Sequence, residues 1–204
     1  MMNYLCYAVT GFVMGGLLFS YYFPKWLKHI DIRKMSKDHN PGTANAFLFA
    51  GTAVGCLCLI FELIKGYLPV ATAIHHLDRT NLAFALVLIG PVLGHACGPF
   101  NNWKGGKSIA VSFGVLLALL PFDASVWVLA FSYLSAVILM RHKVNEKKTV
   151  YAYGVLACFE GYQWLAEGRK AVAMGVLGIC FIVIQRNLSG IRKENKIMQK
   201  QVEI

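Results

Sequence analysis

Acidic side chains are scarce in this chain. Ten Asp and Glu face twenty Lys and Arg, and charged residues fill only 15% of 204 positions. With 57% hydrophobic residues and a mean hydropathy of +0.54, a soluble domain of ordinary composition is excluded. Metal-type cysteine spacing is also lacking. The six cysteines include no CxxC pair, so neither a zinc site nor a disulfide framework is indicated. Cys6, Cys56, Cys58, Cys158 and Cys180 lie inside apolar runs and read as small buried packing residues; Cys97 lies outside them. There is no internal repeat, low-complexity tract or nucleophile elbow. The first apolar run, residues 4–23, has no basic residues ahead of it and no small-residue cleavage site. It reads as a retained helix rather than a signal peptide.

What is present is a series of apolar runs, most of them roughly 15–20 residues long, about the length that crosses a bilayer. Helices are expected near 4–23, 46–64, 82–96, 108–120, 124–140, 150–160 and 170–186. Residues 1–204 therefore read as one all-α integral membrane domain, a seven-transmembrane-helix bundle. Segments 24–45, 97–107, 141–149 and 186–204 hold 16 of the 20 Lys and Arg residues, and Lys65, Arg79, Arg169 and Lys170 fall in the alternate segments. The positive-inside rule then puts the N-terminus outside and the C-terminus in the cytoplasm. The net charge of +10 sits in short loops beside apolar segments, which speaks against nucleic acid as its partner. The polar tail 192–204 reads as a short surface helix on the headgroups or a frayed end.

Residues 93–108 stand out. An apolar run ends in Gly94-His95, and a basic loop follows with Trp103, Lys104, Gly105, Gly106, Lys107 and Ser108. Two glycines between two lysines leave backbone N–H groups free to converge on an anion, and the next helix adds its positive end, with Ser108 at the N-cap. An ordinary cytoplasmic loop has the same composition. His95, at a helix end, is placed to orient phosphate, to relay a proton or to bond the backbone. His29, His39, His75, His76 and His142 read as surface loop residues.

The first basic loop carries Asp31, Arg33, Ser36, Asp38 and His39 and then Asn40-Pro41-Gly42-Thr43-Ala44-Asn45. Asn40 suits an N-cap and Pro41 the first helical position. Gly42 permits close approach, and Thr43 and Asn45 project from the first turn. Glu62 lies inside an apolar run with Lys65 one turn on; the two read as a structural ion pair toward the outer end.

Two stretches together resemble the bacterial acyl-phosphate:glycerol-3-phosphate acyltransferases, the PlsY family. Asp31-Ile32-Arg33 with Asn40–Asn45 is similar to its first motif, D-x-R followed by G-S-G-N and G-A-T-N. Gly94-His95, Pro99 and Trp103-Lys104-Gly105-Gly106-Lys107-Ser108-Ile109-Ala110 are similar to its second. Glu62, Lys65, Gly66 and Pro69 resemble a further family segment. The chain departs from the pattern at several places. Asp38 and His39 stand in place of a serine, Leu48 in place of an arginine, and Ser108 in place of the last glycine. The C-terminal R-H-x-x-N motif is reduced to Arg186-Asn187-Leu188 with Arg192, Glu194, Asn195 and Lys196. A local Arg141, His142 and Asn145 reads as a chance match.

The resemblance implies transfer of a fatty acyl group from acyl phosphate to glycerol 3-phosphate, giving lysophosphatidic acid, without a cofactor or metal. It further implies a bacterial plasma-membrane location with the active site facing the cytoplasm. His95, Asn45, Arg33 and Lys104 would be the catalytic residues. Lys104, Gly105, Gly106, Lys107, Ser108, Asn40, Gly42 and Thr43 would hold phosphate. Phosphate is a good leaving group, so positioning and charge stabilisation can supply most of the acceleration. A non-catalytic relative that binds a phosphorylated lipid and a small transporter are the other readings.

Overall fold

The computed structural model describes the backbone of residues 1–202 and side chains through residue 189. Ten α-helices and one 3₁₀ turn make up these described residues: α1 Met2–Gly16, α2 Phe19–Lys28, α3 Ile32–Met35, α4 Thr43–Ala50, α5 Thr52–His76, α6 Phe84–Cys97, the turn Pro99–Asn101, α7 Ile109–Leu119, α8 Ser125–Leu139, α9 Asn145–Ala166 and α10 Lys170–Val202. Four stretches are long and apolar enough to cross a membrane: Met2–Lys28, Thr52–His76, Phe84–Asn101 and Lys170–Ser189. The apolar α7 and α8 are shorter. The tail continues α10 as backbone; the side chains of Arg192, Glu194, Asn195 and Lys196 lie outside the described residues.

The first two expected helices are each broken. The run at 4–23 bends where Leu17 turns extended, at φ −73° and ψ 105°. Leu17 O is free of the helical ladder and accepts Lys65 Nζ at 2.5 Å, which supplies the partner that an orphan helix-end carbonyl needs. The run at 46–64 breaks at Gly51, whose φ of 86° and ψ of 169° suit essentially glycine alone. There the chain doubles back, so Ala46 and Ala50 of α4 pack against Val54 and Cys58 of α5. The later apolar runs match α6, α7 and α8 closely, while α9 begins earlier than expected, at Asn145.

Small residues let these helices approach closely, as in other membrane bundles. On α1 and α6, Gly11-x-x-x-Gly15 meets Gly90-x-x-x-Gly94. A Cβ on Gly15 would lie 2.0 Å from Pro91 O, and one on Gly94 would lie 2.0 Å from Phe12 O. Gly66 and Gly114 serve the α5–α7 contact in the same way, each facing a carbonyl of the other helix. The core beyond them is closed by Phe84, Leu88, Leu116, Leu129, Tyr153, Leu156 and Ile179. Cysteine contributes less than expected: Cys58 and Cys180 are buried, Cys97 is intermediate, and Cys6, Cys56 and Cys158 are exposed. A helix bounded by lipid is apolar on both faces, so an apolar neighbourhood in sequence does not mark the inner one.

Contacts between loops fall into two sets at opposite ends. At one end Tyr4 bonds Asp78 O at 3.1 Å, Arg79 stacks over Phe122, and Arg169 pairs with Asp123 at 2.9 Å. At the other, the Arg33, Asp38, Lys104–Lys107, Glu146 and Arg186 regions meet. Lys65 belongs to neither set, because α5 runs on to His76 and encloses it.

Candidate functional site

At the second end, residues 98–108 form a loop pinned by two arginines from distant helices. Arg33 Nη1 donates to Asn101 Oδ1 at 3.1 Å, Arg33 Nη2 donates to Lys104 O, and the guanidinium lies 4.4 Å from the Tyr21 ring centroid. Arg186 Nε donates to Gly106 O at 3.1 Å and Nη2 to Gly105 O at 2.8 Å. Three successive carbonyls thus point at guanidinium groups. The loop's conformation is demanding: Asn102, Trp103 and Ser108 all have positive φ, a region that bulky residues seldom occupy without a functional reason.

The expected helix starts are shifted. Gly42, not Asn40, is the N-cap of α4, and Thr43 is its first residue. Ser108 does precede α7, but it is left-handed and makes no capping bond. Its hydroxyl donates instead to Val92 O at 3.1 Å, tying the loop to α6. Asn45 Nδ2 donates to Asp38 Oδ1 at 3.0 Å and to Asn40 O at 2.8 Å, which shapes the 38–42 loop. Ser20 Oγ and Thr43 Oγ1 lie 3.0 Å apart.

Two cavities meet here. One, of about 850 Å³, is lined by Arg33, Asn40, Lys104, Gly105, Gly106 and Lys107, with Tyr21, Asp38 and Arg186. The second, of about 350 Å³, is lined by Asn40, Gly42, Thr43, Asn45, His95, Lys107 and Ser108, with Asn145, Glu146 and Asn187. All eleven residues expected from the sequence therefore line one of the two, and Asp38, Asn40 and Lys107 line both. A third, wholly apolar groove of about 310 Å³ continues from the second through Leu59, Ala110 and Phe113 towards Leu117 and Trp127.

The two lysines of the loop differ. Lys104 is exposed, and its ammonium has no ion-pair partner among the described residues. Lys107 is bound by Asp38 at 2.7 Å and Glu146 at 2.6 Å. Burial opposes both charges of the Asp38–Lys107 pair. Hydrogen bonding and charge attraction outweigh it, so the Asp38 carboxyl is held below its usual range and the Lys107 ammonium above its own. The Asp38 contribution is therefore present above its ordinary value of about 4 and is lost only as pH falls further; that of Lys107 is lost only above about 10.4. Amide exchange in residues 38–42 is expected to report constant protection between about pH 5 and 9, and to lose it below about pH 4. Loss of protection near pH 6 would show that the pair does not hold the loop.

Beneath the loop lies a buried group of three, and it corrects the expected position of Glu62 and Lys65. Glu62, Lys65 and His95 are 0%, 2% and 4% exposed. Lys65 Nζ lies 2.6 Å from Glu62 Oε2, and His95 Nδ1 lies 3.0 Å from the same oxygen. The α5 helix starts only at Thr52, after the reversal at Gly51, so Glu62 lies in its first half, level with His95 rather than at the outer end.

Sequence reasoning passed over Glu146 and Asn145, which come from the start of α9. Asn145 lines the second cavity, whereas Arg141 and His142 of the same short match are exposed and line neither cavity. Arg186 and Asn187, the remnant of the C-terminal motif, line the two cavities. Among the described residues no cluster of His, Cys, Asp and Glu is arranged to hold a metal ion.

The family model for glycerol-3-phosphate acyltransferase matches residues 5–195. A glycerol-3-phosphate acyltransferase of Lacticaseibacillus casei is 30% identical over 195 residues, which cover 95% of this chain and 90% of the relative. Glycerol-3-phosphate acyltransferase 2 of Thermotoga maritima is 37% identical over 118 residues, 58% of this chain; the match spans 59% of that relative's length. The crystal structure of PlsY (YgiH), an integral membrane glycerol 3-phosphate acyltransferase, in its glycerol 3-phosphate form superposes with a TM-score of 0.81. It covers 95% of this chain and 92% of its own, at 21% identity, and so shares the fold. By the extent of these matches, the chain belongs to the glycerol-3-phosphate acyltransferase family.

Proposed function

We propose that the protein moves a fatty acyl group from acyl phosphate to glycerol 3-phosphate, giving lysophosphatidic acid. The observation that carries this reading is the continuity of the three spaces. A cationic cavity around Lys104–Lys107 joins a smaller polar one at His95, and that one opens into an apolar groove. A phosphorylated acyl chain has the same order of parts. Its phosphate fits the loop, its carbonyl lies near His95, and its chain follows Leu59, Phe113 and Leu117. The glycerol hydroxyl oxygen attacks the carbonyl carbon, the C–O bond to phosphate breaks, and phosphate leaves with that electron pair. The hydroxyl proton passes to the departing phosphate or to water. Holding both reactants supplies most of what this reaction needs.

Lys104, whose ammonium has no ion-pair partner among the described residues, meets phosphate, while Arg33 and Arg186 hold the loop in shape. Lys104→Ala is expected to raise KM for the phosphorylated substrates by about 10- to 100-fold, the loss of one charge-assisted contact worth about 1.5–3 kcal/mol. Equal KM values would remove Lys104 from phosphate binding. Lys107→Ala is expected to reduce turnover as well, because it leaves Asp38 and Glu146 facing each other without their cation.

Purified protein given acyl phosphate and glycerol 3-phosphate should form lysophosphatidic acid, read by mass spectrometry. Acyl-CoA should be a poor donor, since the short loops offer no adenine site. Saturable binding of glycerol 3-phosphate without turnover would favour a non-catalytic relative.

The same reading places the protein in the bacterial plasma membrane as a single domain of seven crossings. The N-terminus lies outside, and the cavities and C-terminus face the cytoplasm. The two sets of loop contacts and the basic residues around the cavities support this arrangement. Cysteines placed at Lys34 and Lys143, in a background without native cysteine, should label from the same side. Labelling from opposite sides would overturn it.

A further inference from the structure

The second cavity, of about 350 Å³, sets two carboxylates, Asp38 and Glu146, against one ammonium, Lys107. Asp38 has little left to offer a ligand. Its Oδ1 accepts the Asn40 N–H at 3.2 Å and Asn45 Nδ2 at 3.0 Å, and its Oδ2 accepts Lys107 Nζ at 2.7 Å. Glu146 is different. It stands in the first turn of α9, its side chain is 16% exposed, and its Oε1 accepts Lys107 Nζ at 2.6 Å. Its Oε2 has no hydrogen-bond partner among the described residues. The cavity therefore holds one unfilled carboxylate oxygen, and a charged acceptor makes the stronger kind of hydrogen bond. The surplus negative charge disfavours a phosphate in this space, whereas Lys104 lines the larger one. A hydroxyl is the complementary group, since it donates a proton and brings no charge.

We infer that Glu146 is a specificity-determining residue for the acceptor. Its Oε2 accepts a hydrogen bond from the hydroxyl that is not acylated, so the protein prefers a phosphorylated diol to a phosphorylated mono-alcohol. The inference rests on the acyl-transfer reading for the identity of that acceptor. Glycerol 3-phosphate carries two hydroxyls, of which one attacks and one remains. With its phosphate at Lys104 and the attacking oxygen at the carbonyl near His95, the remaining hydroxyl is enclosed and needs an acceptor. Lys107 on Oε1 restrains the carboxylate, and Oε2 is left for the ligand. A site built to bond a hydroxyl rejects the analogue that lacks it, because its own polar group is then left unpaired.

The test compares glycerol 3-phosphate with 3-hydroxypropyl phosphate, which keeps the phosphate and a primary hydroxyl and lacks the second hydroxyl. At a fixed level of acyl phosphate, the wild-type kcat/KM should favour glycerol 3-phosphate by about 10- to 100-fold, the effect of one hydrogen bond to a charged group. Glu146→Gln keeps the shape of the side chain. Its one oxygen turns to Lys107 and leaves the amide nitrogen in the cavity, so the ratio should fall to near one. Glu146→Ala should do the same. A displaced loop would slow both acceptors together and leave the ratio alone. A wild-type ratio near one, or the wild-type preference retained in either variant, would overturn the inference. Calorimetric dissociation constants for the two acceptors, on the wild type and Glu146→Gln, should show the same change without turnover. A binding ratio that depends on Glu146 in a protein without acyl transfer would overturn the proposed reaction and leave this inference standing. Acyl transfer with a ratio indifferent to Glu146 would do the reverse.

Discussion

Gly105→Ala is expected to lower acyl transfer by at least about 100-fold, the cost of displacing reacting groups by roughly 1 Å. The added methyl carbon would lie 2.2 Å from both His95 O and Ala96 O, and 2.4 Å from Ala96 C. These are backbone atoms in the last turn of α6, and α6 is itself packed against α1 through glycine. Neither side can yield, so the loop must move. Movement would break the bond from Arg186 Nη2 to Gly105 O and carry Lys104 and Lys107 with it. Gly106→Ala should displace the loop backbone less, because its Cβ would meet the tip of His95 rather than backbone, and its effect on rate would come through that ring. Gly154→Ala and Gly161→Ala on α9 are the controls, since a Cβ at either position meets nothing within 4 Å. Steady-state rates for the four variants, with thermal midpoints in detergent, separate a displaced loop from a general loss of fold. Wild-type turnover in Gly105→Ala would mean that the loop geometry is not what the reaction uses.

Much of this arrangement is legible before any coordinates. Hydrophobic run length fixes the apolar helices α6, α7 and α8 nearly to the residue, because lipid demands an unbroken apolar stretch and the loops between are short and marked by Pro, Gly or charge. The site's residues are legible as well, since Lys104–Lys107 and Asn40–Asn45 carry chemistry that an ordinary loop does not require. What hydropathy cannot show is a break inside an apolar run. Leu17 and Gly51 lie among residues as apolar as their neighbours, and the breaks arise from one lysine reaching a carbonyl and one glycine with an unusual φ. The depth of Glu62 follows from the second break, so the sequence reading placed it at the wrong end. Partnerships between distant segments are equally hidden. Nothing in the spacing indicates that Glu146 would reach Lys107, or that two arginines would bond the carbonyls of the loop.

Glu62→Ala is expected to destabilise the protein by about 3–5 kcal/mol, the usual cost of removing one partner from a buried ion pair. Glu62 and Lys65 are shielded from both water and lipid, so the abandoned ammonium would lose its counter-charge and keep Leu17 O as an acceptor, with the His95 ring 2.9 Å away. Removing both charges is a different matter. Burying two ions costs several kcal/mol per ion, and packed apolar residues of similar size often replace such a pair without loss. The double variant Glu62→Leu with Lys65→Met should therefore recover most of the stability lost in Glu62→Ala. Its activity should not recover, because the ring of His95 would lose both groups that hold it, and Ser20 N would lose its acceptor beside Thr43. Thermal midpoints and acyl-transfer rates for the wild type, Glu62→Ala, Lys65→Met and the double variant decide the matter. If the double variant regained activity along with stability, the three buried groups would be a structural ion pair with a histidine nearby, and His95 would not depend on them for its place in the cavity.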